Sequence, residues 1–505
     1  MLRYCAFSPS DRSAHLNWLA VLVAVLLGAC ASPDQVLRVR SLGETYDAAT
    51  DRHSNGSFQG LERVANFAQH ENLNLLFVHG IGWTQRDGPQ GFGLDWVDAL
   101  ASAYGVALPR PDPGTLCQTS GQGDTLPGQA RPASGGLRLV QAAASAHATD
   151  DPLHVVRSQE LGCLDRIHLS LGEGRSITVY RFFWDDTMWD AYQARHLGHD
   201  DPVPIANSVK KPTSGQEDID ALRTPVNAYL KNQLVTYGLS DAAMYLGPVG
   251  ASMREGVRGA LCAAALGLPL SHVAVSEAGA LCHEPVTRQQ PLAVMAHSLG
   301  SRIVFDALHT DLHPDLAALL PAAVSNREIE VYMLANQLPL IGLGRMGQPR
   351  STVRLHPTRL KLVAVSELDD PLTYELVPYF EGLYAQRCVP PSWVAARPGS
   401  GTLAEPCADG GGQNYRQRAA ALAKNLDVRE QLVRSLGFDV VDIRVRFAPP
   451  VVTGLGWLAK DPHRAHSDYM NSPQVQQAVM CGANNGYVRR VPEGCPSRSP
   501  GRSLR

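Results

Sequence analysis

Short apolar runs, each closed by turn-forming residues, dominate the pattern of this chain. Leu73-Asn74-Leu75-Leu76-Phe77-Val78 ends in His79-Gly80-Ile81-Gly82-Trp83, and Leu292 to Ala296, led by Pro291, ends in His297-Ser298-Leu299-Gly300. Leu360 to Val365 runs into Ser366-Glu367-Leu368-Asp369-Asp370-Pro371. Ile177 to Phe183, closing at Trp184-Asp185-Asp186, and Val331 to Ala335 have the same character. Runs this short and continuously apolar read as buried strands of a parallel sheet rather than helices. Val440 to Phe447 differs: its later half alternates apolar and charged residues, as the last strand at a sheet edge should.

Beyond Ser298 the period changes. Leu299, Ile303 and Ala307 recur every fourth residue with Val304 and Leu308 beside them, the apolar stripe of a helix laid on the sheet. Pro225 to Leu266, with alternating small and apolar residues, reads as a longer helical region. The stretches between are irregular: Leu108 to Pro152, rich in Gly, Pro, Gln and Ser, and Glu381 to Gln413, with Gly410-Gly411-Gly412, read as insertions that either wall the functional face or decorate it. The expected organisation is an amino-terminal signal over residues 1–29, a polar tether over 30–72, one domain over 73–480 with insertions near 108–170 and 381–413, and a loose Pro-, Arg- and Ser-rich tail over 481–505.

Composition narrows the partners. The chain has 505 residues, is 44% hydrophobic and carries a formal charge of −3, so it can bury one large core and has no excess of positive charge for nucleic acid. No internal repeat is present.

The bend Ala296-His297-Ser298-Leu299-Gly300 carries the sharpest chemistry. A strand turning at once into a helix, with a serine at the bend, presents that serine as a nucleophile. The turn needs small neighbours because strand and helix approach closely: Gly300 supplies one, and Ala296 stands where the usual Gly-x-Ser-x-Gly pattern has its first glycine. Such a serine needs oxyanion donors, a base and an acid. The His79-Gly80 turn after an early strand offers the backbone N–H of Ile81, and the helix start offers that of Leu299. Asp370 is the preferred acid, with Asp369 the alternate, because both follow a strand end and Asp370 stands directly before a Pro-Leu-Thr-Tyr turn. In Asp461-Pro462-His463-Arg464-Ala465-His466-Ser467-Asp468-Tyr469, after the last strand, His466 is the preferred base and His463 the alternate.

The order Ser298, Asp370, His466 resembles that of the α/β-hydrolase superfamily, in its lipase and esterase branch with a His-Gly turn and an Ala-His-Ser-Leu-Gly elbow. The resemblance spans roughly Leu73 to Met480. It implies an α/β fold, a mostly parallel sheet with helices on both faces and loop or helical insertions. It further implies a Ser298–His466–Asp370 triad and an acyl-enzyme mechanism without a cofactor.

At the amino terminus, Arg3 and Arg12 precede an apolar stretch from Trp18 to Leu27, the right length for the core of a secretion signal. It closes with Leu27-Gly28-Ala29-Cys30, which is similar to the lipobox of bacterial lipoproteins; the competing reading is plain cleavage after small residues. The lipobox resemblance implies lipidation of Cys30 and membrane attachment in a bacterial cell envelope, and Ala31 after the cysteine implies the outer membrane. Eight cysteines remain beyond Cys5 and Cys30, an even number suited to an oxidising compartment. Pairing each with its neighbour in the same insertion or tail gives Cys117 with Cys163, Cys262 with Cys282, Cys388 with Cys407 and Cys481 with Cys495. With no Cys-x-x-Cys pair, no metal site is expected.

Two other patterns fail. Gly342-Leu343-Gly344-Arg345-Met346-Gly347 spells a dinucleotide fingerprint with Glu367 beyond it, but Pro349 and Pro357 break the helix that should follow. His309 and His313 sit one turn apart without the glutamate of a zinc protease. The expectation is therefore a membrane-anchored serine hydrolase acting on carboxylic esters, lipid-like ones included. Acyl transfer or thioester cleavage would use the same residues, and a rival reading is a non-catalytic envelope module on the same fold.

Overall fold

The computed structural model describes residues 35–43, 46–47, 52–53, 56–80, 93–107, 117, 137–141, 159–184, 239–270, 274–308, 314–326, 328–343, 359–387, 429, 432–433, 436–451 and 460–488. Within them the apolar runs assemble into one ten-stranded mixed sheet. In chain order its strands are β1 (Gln35–Ser41), β2 (Asn72–Val78), β3 (Leu137–Gln141), β4 (Gln159–Gly172) and β5 (Arg175–Phe183). Then follow β6 (Ala274–Glu277), β7 (Leu292–His297), β8 (Glu328–Leu334), β9 (Arg359–Glu367) and β10 (Phe438–Arg446). The spatial order is β1-β10-β9-β8-β7-β2-β5-β4-β3-β6. From β10 across to β5 all neighbours are parallel; β1 on β10, β4 on β5 and β3 on β4 are antiparallel.

The central strands lack alternation because both faces of the sheet are covered. On β7, Leu292, Val294 and Ala296 join one core cluster while Ala293 and Met295 join the other; β2 divides the same way, Leu76 and Val78 against Leu73, Leu75 and Phe77. The first face is covered by α4 (Val249–Leu266), α6 (Leu299–Ala307) and α7 (Pro314–Ala323), with α3 (Ser240–Leu246) and α5 (Ala278–Leu281) beside α4. The second face is covered by α1 (Leu61–Ala65), α2 (Leu94–Ala103) and α11 (Pro473–Cys481). α9 (Leu376–Arg387) also packs on the first face, beside β10, while α8 (Leu338–Gly342) and α10 (Pro462–Ser467) follow β8 and β10 in the chain. Asp442 of β10 accepts from the N–H groups of Leu376 and Val377 at 2.8 and 2.7 Å, which caps α9 at its amino-terminal end.

Several expected boundaries shift. Residues 30–72 are not merely a tether: Gln35–Ser41 is a strand of the main sheet, and Val39, Phe58, Leu61 and Val64 lie in the core. Its arginines mask its apolar residues in the sequence, but they are paired, Arg38 with Glu375, just before α9, and Arg40 with Glu381 of α9 at 2.7 Å. By covering β10 it also removes that strand from the edge and satisfies its outer backbone groups. The insertion near 108–170 contains β3 and β4; Ile167, Leu169 and Leu171 alternate with His168 and Ser170, a half-solvated pattern easily taken for loop. Glu381 to Arg387, assigned to the second insertion, completes α9. Residues 481–488, assigned to the tail, belong to the domain, since Ala483 is buried and bridges to Phe58.

Two of the expected disulfides are present, Cys117–Cys163 and Cys262–Cys282, and Cys481 is also disulfide-bonded. Cys30, Cys388, Cys407, Cys495, the signal segment, His309 and His313 lie outside the described residues. No described helix is long and apolar enough to cross a membrane. α8 ends at Gly342, where a dinucleotide fingerprint would require a helix to begin.

Candidate active site

Ser298 sits between β7 and α6 with φ 53° and ψ −125°, a left-handed backbone that a serine rarely adopts. Its N–H donates to the Leu334 carbonyl at 2.8 Å, which ties the bend to the end of β8. The bend is possible only because two neighbours lack side chains. A Cβ on Gly300 would lie 2.3 Å from the His79 carbonyl oxygen, and one on Gly80 would lie 2.5 Å from Ser298 Cβ. Ala296, the departure from the usual pattern, is fully buried and fits.

The structure brings Ser298, His466 and Asp370 together from three strand ends. The Ser298 hydroxyl donates to His466 Nε2 at 2.9 Å, and His466 Nδ1–H donates to Asp370 Oδ1 and Oδ2 at 3.1 and 3.0 Å. This network assigns the Nδ1–H tautomer to His466 and leaves Nε2 as the acceptor. Asp370 also accepts from the Leu372 N–H at 2.9 Å and from the Tyr469 hydroxyl at 3.0 Å. The alternates lie apart from this chain of bonds. Asp369 is exposed, its N–H held by Glu367, and His463 is exposed in the first turn of α10 while His466 closes the last. His466 thus belongs to a short helix, not to a loop. Asp461 starts that helix by accepting from the N–H groups of His463 and Arg464 at 3.0 and 3.1 Å.

Sequence reasoning did not reach three residues that support this geometry. Tyr469, fully buried, donates to Asp370 and accepts the Glu367 N–H at 2.7 Å, so it joins Asp370 to the end of β9. Burial, with the Asp370 carboxylate beside it, holds its phenol well above the ordinary range, and it remains a donor. His297 donates through Nε2 to the His466 carbonyl at 2.9 Å. Burial, and the neighbouring His466, push His297 down to about 3, so it is neutral near pH 7. Trp184 stacks on His79 with ring centroids 4.9 Å apart, and its indole N–H donates to the His79 carbonyl at 3.2 Å. The spacing of His466 and Tyr469, three residues apart and hence on one side of a helical segment, is the signal that could have found Tyr469.

Of the two donors expected for an oxyanion, one lies among the described residues. The turn His79-Gly80 presses against the elbow, and His79 is held by Nδ1–H donation to the Gly80 carbonyl at 2.6 Å while Nε2 accepts the Trp184 N–H at 3.2 Å. Leu299 opens α6, where a first-turn N–H has no intrahelical acceptor and is available to an anion. Ile81 lies outside the described residues. A hydroxyl paired with an imidazole, itself oriented by a buried carboxylate, beside a helix start, is equipped for nucleophilic attack on an electrophilic carbonyl. In comparisons with protein-family models, with curated proteins and with solved structures, the chain has no significant match.

Proposed function

We propose that the protein is a serine hydrolase of the α/β-hydrolase type, attached to a bacterial envelope membrane through Cys30, that cleaves carboxylic esters. One observation carries this reading: the unbroken relay from the strained Ser298 through His466 to Asp370. Ser298 Oγ attacks the ester carbonyl carbon while His466 Nε2 takes the hydroxyl proton. The Leu299 N–H, at the start of α6, holds the oxyanion, with Ile81 the second donor expected from the sequence. As the tetrahedral adduct collapses, the bond to the alcohol breaks and His466 returns the proton to the leaving oxygen. Water, deprotonated by the same imidazole, then attacks the acyl-enzyme, releasing the carboxylic acid and restoring Ser298. Asp370 orients the imidazole and stabilises it when it is charged.

A non-catalytic envelope module would not need a nucleophile held at a costly backbone angle, since such strain persists where function maintains it. The test is covalent labelling by a fluorophosphonate probe with Ser298→Ala as control. Labelling that requires Ser298 is expected; folded protein that does not label, or labels equally without Ser298, contradicts the reading. Asp370→Asn and Asp369→Asn made separately should differ sharply in ester turnover, with Asp370 the sensitive position.

A further inference from the structure

The amino-terminal strand fixes where a lipid anchor would emerge. β1 runs antiparallel to β10, and Gln35, its first residue, pairs with Arg446, the last of β10. The chain therefore enters the sheet at the edge where the parallel strands end, the same edge that carries Ser298, Asp370 and His466. The next residue after Arg446, Phe447, packs on Tyr469 with ring centroids 5.1 Å apart, and Tyr469 bonds Asp370. Across the sheet, β10 and β7 are three strand spacings apart, about 14 Å. Only residues 31–34 separate Cys30 from Gln35, so the two Cα atoms are at most about 17 Å apart. A 42-residue tether would have left the domain free to face any direction; four residues do not.

The surface at this corner fits such a position. Eight large hydrophobic side chains are exposed among the described residues, and four of them lie here: Leu37 on β1, Leu368 and Tyr374 after β9, and Val451 after β10. The Leu368 N–H donates to the Val445 carbonyl at 3.0 Å, and Tyr374 precedes Glu375, which pairs with Arg38 of β1, so the segment after β9 lies against β10 and β1 at this corner. Ion pairs from Arg38 to Glu375 and from Arg40 to Glu381 of α9 hold β1 in place, so the point of attachment is part of the folded body.

We infer that the anchor on Cys30 holds the catalytic edge against the bilayer that it enters, and that the substrates are acyl esters of lipids in that leaflet. This rests on the serine-hydrolase and lipid-anchor readings above and adds orientation and substrate source. The occupant of the apolar corner is the membrane carrying the protein's own acyl chains. Apolar side chains that would be unfavourable facing water gain stabilisation at that interface.

Full-length lipidated protein in phosphatidylglycerol and phosphatidylethanolamine vesicles, doped with a nitroxide-headgroup lipid, tests the orientation. One fluorophore is placed through Val451→Cys and, in a second sample, through Glu173→Cys, on the β4–β5 turn at the opposite edge of the sheet. Strong quenching at 451 and little at 173 is expected; equal quenching, stronger quenching at 173, or no binding to vesicles overturns the inference. A flexible Gly-Ser insert of about 30 residues between Asp34 and Gln35 should lower hydrolysis of bilayer lipid esters about tenfold, as effective concentration falls with linker length. Hydrolysis of a soluble short-chain ester should be unchanged; unchanged bilayer hydrolysis also overturns it. Ser298-dependent probe labelling, read in the same samples, is independent of orientation, so failure of the hydrolase reading is seen separately.

Discussion

Replacing Gly300 by alanine perturbs the elbow with one methyl group. That Cβ would stand 2.3 Å from the His79 carbonyl oxygen and 2.8 Å from that of Val78, where ordinary contact begins at 3.4 Å. Both obstacles are backbone atoms, Val78 the last residue of β2 and His79 the next, and neither can rotate away. Relief requires the start of α6 to retreat by ~1 Å, and overpacking of this kind costs about 1–3 kcal/mol of stability. Ser298 and the Leu299 N–H move with the helix, and the 2.9 Å bond from Ser298 to His466 is lost or misdirected. A misplacement of that size lowers kcat/KM about 100-fold. The assay is hydrolysis of a soluble chromogenic ester alongside urea unfolding of the same sample. Ala296→Gly, which completes the usual spelling, is the control and should keep near-native turnover. A Gly300→Ala protein with activity within threefold of the parent and unchanged stability would refute the close approach of strand and helix from which the elbow is argued.

Three further outcomes follow from the same geometry. Tyr469→Phe removes the hydroxyl that holds Asp370 while keeping the ring; kcat should fall about tenfold with KM unchanged, at a stability cost of about 1–3 kcal/mol, and an unchanged kcat contradicts the positioning role. His297, pushed down to about 3 by burial, binds its proton later than it would in the unfolded chain. Between pH 6.5 and 3 the unfolded state therefore takes up more protons, and stability is lost as pH falls, by about 5 kcal/mol over the whole interval. Denaturant titrations from pH 7 to pH 4 should show this slope in the parent and a shallower one in His297→Asn; parallel profiles would exclude it. The Cys262–Cys282 bridge closes 20 residues between α4 and α5, and its removal by Cys262→Ala with Cys282→Ala should cost about 3 kcal/mol, read as a lower urea midpoint.

What was legible in the sequence is what local chemistry dictates. The central strands declare themselves because burial on both faces leaves little room for polar side chains, and the elbow does so because a serine between small residues joins a strand to a helix. Asp370 and His466 could be placed after strands, with Asp369 and His463 as neighbours, because adjacent carboxylates in a loop, or histidines one turn apart in a short helix, differ only in where the backbone turns them. The elements that escaped notice are those whose identity depends on partners far along the chain. β1 is read as polar until Arg38 and Arg40 meet Glu375 and Glu381. β4 is half-solvated, and its Asp165 is a core residue because Arg181 of β5 pairs with it bidentately at 2.9 and 2.7 Å. Tyr469 and His297 look like ordinary core residues until their hydrogen bonds to the Asp370 carboxylate and to the His466 carbonyl are seen.

The central claim is that Ser298 carries the acyl group between ester and water. Rapid acid quench of the protein during turnover of a p-nitrophenyl ester, followed by peptide mass spectrometry, tests it most directly. An acyl adduct on the peptide containing Ser298, absent in Ser298→Ala, is the expected result. Sustained turnover with no adduct at Ser298, or with the adduct on another residue, would contradict it.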